Sequence, residues 1–260
     1  MEDASSVLLS REGGIARVVM NRPEQLNAID VPMAKRFAQV CQEVAADNSV
    51  RVVVISGSGR GFGAGGDLSA FREEPTQAAA SIIEHVHAGL LQLTTMNAPV
   101  LASVHGVVAG GSLSLMSACD LAIAAEGTRF NLAYVNVAAS CDVSGSWSLP
   151  RLVGLRNALQ IALLGETFDA QEAYRLGLVN RVVPADQLAD QTEQWVRKFA
   201  QGPTRALGRM KRLMRTSFNH DLPTQLELES QGFQDCTRDA DFQEAMSAFF
   251  AKRKPQFQGR

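Results

Sequence analysis

Apolar positions recur along this chain with two different periods, and the switch from one to the other outlines a series of strands and helices. Residues 7–10 and 15–20 are short apolar runs on either side of Glu12-Gly13-Gly14, a hairpin signal. Asn21-Arg22-Pro23 stops the second run, and the spacing over residues 33–46 is helical. Residues 52–56 form a continuous, mostly β-branched run, suited to a strand buried on both faces. A glycine-dense loop from Gly57 to Asp67 follows. Residues 76–95 predict a long helix ended by Asn97-Ala98-Pro99. Residues 99–104 predict another short strand, 110–118 a helix and 120–125 a third buried strand. The pattern then changes: 142–147 is a polar turn, 150–164 and 170–176 are helices, and 178–183 is a brief strand. From Ala185 onward every segment is predicted helical, with breaks at Gly202-Pro203 and Leu222-Pro223. Strands mixed with helices, followed by helices alone, imply an α/β core with a helical appendage.

The composition keeps this picture ordinary. The chain has 260 residues, 46% hydrophobic and 20% charged, enough for one sizeable core with or without a smaller appendage. A net charge of −2 offers no basic field for nucleic acid, and no basic amphipathic stretch suggests a membrane surface. No apolar run is long enough to span a bilayer, and the acidic, polar start Met-Glu-Asp-Ala-Ser-Ser is unlike a signal peptide. Cytoplasmic is therefore the default address. Cys41, Cys119, Cys141 and Cys236 form no C-x-x-C, and no histidine pair supplies zinc spacing, so no metal is expected and the thiols read as reduced. His85 and His87, two apart on a predicted helix, fall on different faces.

The candidate chemistry lies in two loops. Gly61-x-Gly63-x-x-Gly66 spells the dinucleotide fingerprint, but a true fingerprint opens a long helix straight after its strand, and here Pro75 follows soon after. A surface turn rich in permissive glycine is a second reading. In a third, the glycines let a carbonyl oxygen approach bare backbone N–H groups. Gly106-Val107-Val108-Ala109-Gly110-Gly111-Ser112 is a similar loop, and it precedes a helix, so its amides carry the positive end of the helix dipole. Each loop follows a buried strand; together they could offer two donors to one oxygen.

Phe62-Gly63-Ala64-Gly65-Gly66-Asp67-Leu68, and Val104 to Ser112 running on to Cys119-Asp120-Leu121, resemble two motifs of the crotonase superfamily, the enoyl-CoA hydratase/isomerase family. Asn21-Arg22-Pro23, Leu26-Asn27-Ala28 and the tail Phe249-Phe250-Ala251-Lys252-Arg253-Lys254-Pro255-Gln256-Phe257 extend the resemblance over nearly the whole chain. The resemblance implies an α/β crotonase spiral of ββα units over residues 1–200, holding the coenzyme A and acyl site. It implies a C-terminal helical region over 201–260 that forms a homotrimer or homohexamer. It puts the oxyanion donors on the N–H groups of Gly66 and Gly111. Coenzyme A contacts fall near Ala28, Ala64 and Gly65, with Phe249 and Lys252 touching coenzyme A bound to a neighbouring subunit. Coenzyme A enters as part of an acyl-CoA substrate, and no separate cofactor is implied.

The reaction depends on the acid and base groups around the thioester. Pulling a proton from carbon beside the carbonyl puts negative charge on its oxygen, and each preorganised donor there is worth about 10²–10³ in rate. Hydration in this family uses two glutamates; the matching positions here hold Ser114 and Tyr134. Ser140-Cys141-Asp142-Val143-Ser144-Gly145-Ser146-Trp147 resembles the isomerase segment whose aspartate faces the acyl group, with Cys141 in place of the usual proline. Asp142 fits two roles, a helix N-cap and a catalytic base. His87 and Asp142 also fall where 4-chlorobenzoyl-CoA dehalogenases carry a base and a nucleophile, although Tyr134 stands where those enzymes have tryptophan. His85 is expected in solvent and His105 in a turn. The favoured expectation is double-bond isomerisation through Asp142. Atypical hydration, dehalogenase-like hydrolysis through Asp142 and His87, and a non-catalytic CoA-binding scaffold are the alternatives.

Overall fold

The computed structural model describes residues 5–260; Met1 to Ala4, most of the polar start, lie outside the described residues. Strand β1 (Val7–Glu12) and β2 (Ile15–Met20) form the expected hairpin. β3 (Val52–Gly57), β4 (Val100–Val104), β6 (Leu121–Ala125) and β9 (Arg181–Val183) continue the sheet in the order β1-β2-β3-β4-β6-β9, parallel from β2 onward. Side chains alternate across such a sheet. Val53 and Ile55 of β3, Val100, Ala102 and Val104 of β4, and Ala122 and Ala124 of β6 enter the main core. That core also takes Met33, Phe37, Val40 and Val44 of α1 (Val31–Ala46) and Ile82, Val86, Leu90 and Leu93 of α2 (Pro75–Thr95). Val52, Val54, Leu101 and Ile123 face the other way, onto Val196 of α7 (Leu188–Ala200). The apolar runs of the central strands are continuous because both faces are covered.

Three short strands escape a reading by periodicity. β5 (Val107–Ala109), β7 (Arg129–Asn131) and β8 (Phe168–Asp169) make a second sheet in the order β5-β7-β8. Runs of two or three residues are too short to show a period of two. α3 (Gly111–Ala118) begins two residues beyond β5. The polar turn and helix expected over 142–164 are redrawn: α4 (Gly145–Val153) starts inside the predicted turn and contains Pro150, and Gly154, with φ of 77°, separates it from α5 (Leu155–Leu164). α6 (Ala170–Arg175) follows as expected, and the predicted strand at 178–183 forms only from Arg181.

The C-terminal part holds α8 (Thr204–Thr216), α9 (Leu222–Thr237) and α10 (Ala240–Phe250). Pro223 does not interrupt a helix; it occupies the first turn of α9, where its missing N–H costs nothing. Residues 251–260 are not helical, contrary to expectation. Asp241 accepts the amides of Gln258 and Gly259 and so fastens that tail back onto the chain. α8 is anchored to the core through Asp120, which takes Lys211 at 2.9 Å, Arg215 at 2.7 Å and the amide of Val100 at 2.8 Å. Among the described residues no helix is long and apolar enough to cross a membrane.

Candidate active site

The glycine loop after β3 is stitched to the segment after β2. Ala64 donates to the Leu26 carbonyl at 2.9 Å, Ile29 to Gly65 at 2.7 Å, and Asp67 to Ile29 at 2.9 Å. Asn27 is fully buried at a φ of 55°, a conformation asparagine tolerates. Its Nδ2 donates to the carbonyls of Ser58 and Gly61, and its Oδ1 accepts the Arg22 amide. Arg22 donates to the Ala28 carbonyl and to Asp67 at 3.0 Å, and it pairs with Asp30 at 3.1 Å. Asp67 is held below the ordinary carboxyl range, first by the Ser69 hydroxyl, against its burial, and then by Arg22. Ala28 is buried and Ala64 half-buried where these two segments pair.

The second loop meets the first along a short backbone pairing, Gly63 N–H to Val107 at 3.0 Å and Ala109 N–H to Gly63 at 2.9 Å. Gly65 also lets the two loops approach closely. It has a φ of 93°, and a Cβ built on it would stand 3.0 Å from the Ala109 oxygen and 3.2 Å from the Gly111 nitrogen. The Ser112 hydroxyl accepts the Gly65 amide at 3.2 Å. Gly66, the next residue, is exposed and faces the Phe71 ring. Gly111 opens α3, so its amide has no carbonyl four residues back within the helix and lies at the positive end of the helix dipole. The two glycine loops therefore come together around Gly65 and Gly111.

A Cβ built on Gly111 would lie 3.6 Å from the Tyr134 hydroxyl and 3.8 Å from Asp142 Oδ1, which measures how near those groups stand. Tyr134 donates to Asp142 Oδ1, and Ser114 Oγ lies 3.2 Å from the Tyr134 oxygen. Burial first, and then the charge of Asp142, push the Tyr134 phenol above its ordinary value. It is a neutral donor at physiological pH. With its proton turned to Asp142, it can only accept from Ser114. Ser114 is buried in α3 and supports the tyrosine. The capping alternative for Asp142 is corrected: its carboxylate goes to Tyr134, and Ser144 occupies the N-cap of α4 without a side-chain cap bond.

His87, on α2, reaches the same place. Its Nε2 accepts the amide of Val143, the residue after Asp142, at 3.1 Å. His85 is half-buried with Nδ1 2.6 Å from the Ser81 carbonyl, rather than solvated as its position on the other face suggested. His105 ties its turn to the Gly59 carbonyl at 2.9 Å. Phe249 and Lys252 lie at the end of α10, exposed, and no hydrogen bond among the described residues joins them to the glycine loops. Asn27 and Ser112 carry no expected role of their own from the sequence, and Ser114 carries none beyond standing where a glutamate would. Asn27 sits inside a motif already visible, whereas the two serines become meaningful only when α3 is packed against its neighbours.

Comparison with known proteins places the chain among its relatives. The enoyl-CoA hydratase/isomerase family model matches residues 10–260. The chain is 35% identical to 1,2-epoxyphenylacetyl-CoA isomerase of Escherichia coli over 98% of both chains. It is 32% identical to the short-chain-enoyl-CoA hydratase of Clostridium acetobutylicum over 97% of both. The crystal structure of an enoyl-CoA hydratase from Mycobacterium smegmatis superposes with a TM-score of 0.91 at 32% identity, covering 97% of this chain and 98% of that one. The α/β fold with its C-terminal helices is thus the crotonase fold, and the chain belongs to the enoyl-CoA hydratase/isomerase family.

Proposed function

We propose that this enzyme acts on an acyl-CoA thioester and moves a double bond along the acyl chain, with Asp142 as the base. Asp142 takes a proton from the carbon next to the thioester carbonyl. The C–H electron pair passes into an enolate whose oxygen is held by the amides of Gly66 and Gly111. Asp142 then returns the proton to the far carbon of the allylic system, so a 3-enoyl ester becomes a 2-enoyl ester of the same mass.

The observation that carries this reading is the placement of Asp142. Its carboxylate faces the start of α3 beside Gly111, and Tyr134 occupies one oxygen. Among the described residues no hydrogen bond engages its Oδ2, which suits that atom to proton transfer. Ser114 and Tyr134 stand where the resemblance puts the two water-binding carboxylates of hydratases, and neither is a carboxylate. The relatives carry both isomerase and hydratase names, so the choice between them rests on these side chains. Hydrolysis in the dehalogenase manner asks for a free imidazole nitrogen, and the Nε2 of His87 is engaged by the Val143 amide.

The test is a panel of CoA esters (trans-2-enoyl, cis-3-enoyl, ring-epoxide and 4-halobenzoyl) followed by product mass. The expected result is conversion of the 3-enoyl ester without a mass change. Asp142→Ala should abolish that conversion and leave ester binding intact. A product heavier by one water from the 2-enoyl ester would overturn isomerisation in favour of hydration. Full turnover by Asp142→Ala would remove the proposed base.

A further inference from the structure

We infer that His87 is a positioning residue, which holds the backbone after Asp142 and thereby aims the carboxylate without itself reacting; the inference rests on the reading of Asp142 as base. The turn that carries Asp142 is unusual. Val143 has a φ of 49° and Ser144 a φ of 66°. A β-branched residue in the left-handed region is a true outlier and persists only where its surroundings impose it.

Three contacts impose it here. The Val143 side chain is 3% exposed and packs in the main core. The Gly145 amide donates to the Asp142 carbonyl at 2.9 Å, closing the turn. The Val143 amide donates to His87 Nε2 at 3.1 Å. An N–H can only donate, so Nε2 is the unprotonated nitrogen, and a neutral ring carries its hydrogen on Nδ1.

That assignment separates His87 from the chemistry. A lone pair committed to a backbone amide is not available to take a proton from substrate or water. The amide it holds belongs to the residue next to the base, so Asp142 is fixed from two sides. Tyr134, itself supported by Ser114, grips Oδ1, and His87 grips the peptide that follows. α2 supplies one hold, and α3 with the Tyr134 turn supplies the other. Loss of either hold lets the carboxylate swing, and a misplacement of about 1 Å at a reacting group costs about 10²-fold in rate.

The inference is tested with His87→Leu, which has no acceptor, and His87→Gln, whose side-chain oxygen can replace Nε2 but cannot act as an imidazole base. Steady-state kinetics on the cis-3-enoyl ester, with a thermal melt for each variant, are the readout. The expected result is a fall in kcat of about 10²-fold for His87→Leu with KM within about twofold. His87→Gln should restore kcat to within several-fold of wild type. Equal inactivity of a folded His87→Gln variant would overturn the inference and make the ring a catalytic group. Full activity of His87→Leu would overturn it in the other direction. If His87→Leu does not fold, His87→Gln decides the question alone. Asp142→Asn, run in parallel, keeps the two readings apart: its full activity refutes the base, whereas an inactive Asp142→Asn beside an unaffected His87→Leu refutes only the positioning role.

Discussion

Gly65→Ala tests the meeting of the two glycine loops. Two effects of this substitution can be separated. The first is backbone strain: Gly65 has a φ of 93°, and left-handed backbone costs an L-residue about 1–2 kcal/mol. For a chain of this size that lowers the melting temperature by about 2–8 °C, at about 2–4 °C per kcal/mol. The second is a wedge. The new methyl would stand 3.0 Å from the Ala109 oxygen, 3.2 Å from the Gly111 nitrogen and 3.3 Å from the Gly110 Cα. Ordinary contacts begin at about 3.5 Å, so the loops must part by a few tenths of an ångström. The parting falls on the amide proposed to hold the enolate oxygen. Removing one such donor altogether costs about 10²–10³ in kcat, so a displaced donor should cost about 10–10². Gly13→Ala is the control, because Gly13 has a φ of 56° with nothing within 4 Å of its added Cβ. It carries strain without the wedge, and should melt earlier at unchanged kcat. The assay is kcat and KM on an enoyl-CoA ester, beside a thermal melt of each variant. A folded Gly65→Ala enzyme with wild-type kcat would refute the convergence of the loops on one oxyanion.

Two further outcomes follow from the same contacts. Tyr134→Phe removes the donor to Asp142; a hydrogen bond to a charged group is worth about 1.5–3 kcal/mol, so kcat should fall about 10–10²-fold with KM little changed, and an unaltered kcat would show that the bond does not orient the base. Asp120→Ala removes the anion that Lys211 and Arg215 share and leaves Lys211, 9% exposed, with two carbonyls but no counter-charge, so the unfolding free energy measured in urea should drop by about 3–5 kcal/mol near neutral pH. Burial already lowers the Lys211 amine below its ordinary 10.5 and Asp120 opposes that, so the variant's amine drops further. Below about pH 10.5 the unfolded chain then binds more protons than the folded one, and the deficit against wild type should shrink as pH is raised toward that value; a pH-independent deficit would exclude Lys211 as its source.

What could be read in the chain depended on the range over which each signal acts. The hairpin, the β-branched run at β3 and the helical spacing of α1 are local, and they appear in the structure nearly where their periods put them. β5, β7 and β8 are defined by their partners and not by their own two or three residues, so no period announced them. The start of α4 was missed for a related reason. Ser144-Gly145-Ser146 has the composition of a turn, and only the core around Val143, the Asp142 carbonyl and the space Gly145 leaves for Ser114 turn it into a helix start. The site divides in the same way. Gly66, Gly111 and Asp142 were visible through motifs that resemble those of the family, each a short local string of residues. Ser114, Tyr134 and His87 could be numbered in the same way, but not the contacts they make, because serine, histidine and tyrosine form such hydrogen bonds anywhere in a sequence. His87 could be counted to the right place, yet its ring nitrogen alone does not say whether it works on substrate or on peptide. The amide proton of Val143, which only the folded turn delivers to it, gives the answer. It follows that two relatives could share the glycines and the carboxylate and still differ in reaction, according to which neighbours constrain the carboxylate and whether they leave room for water.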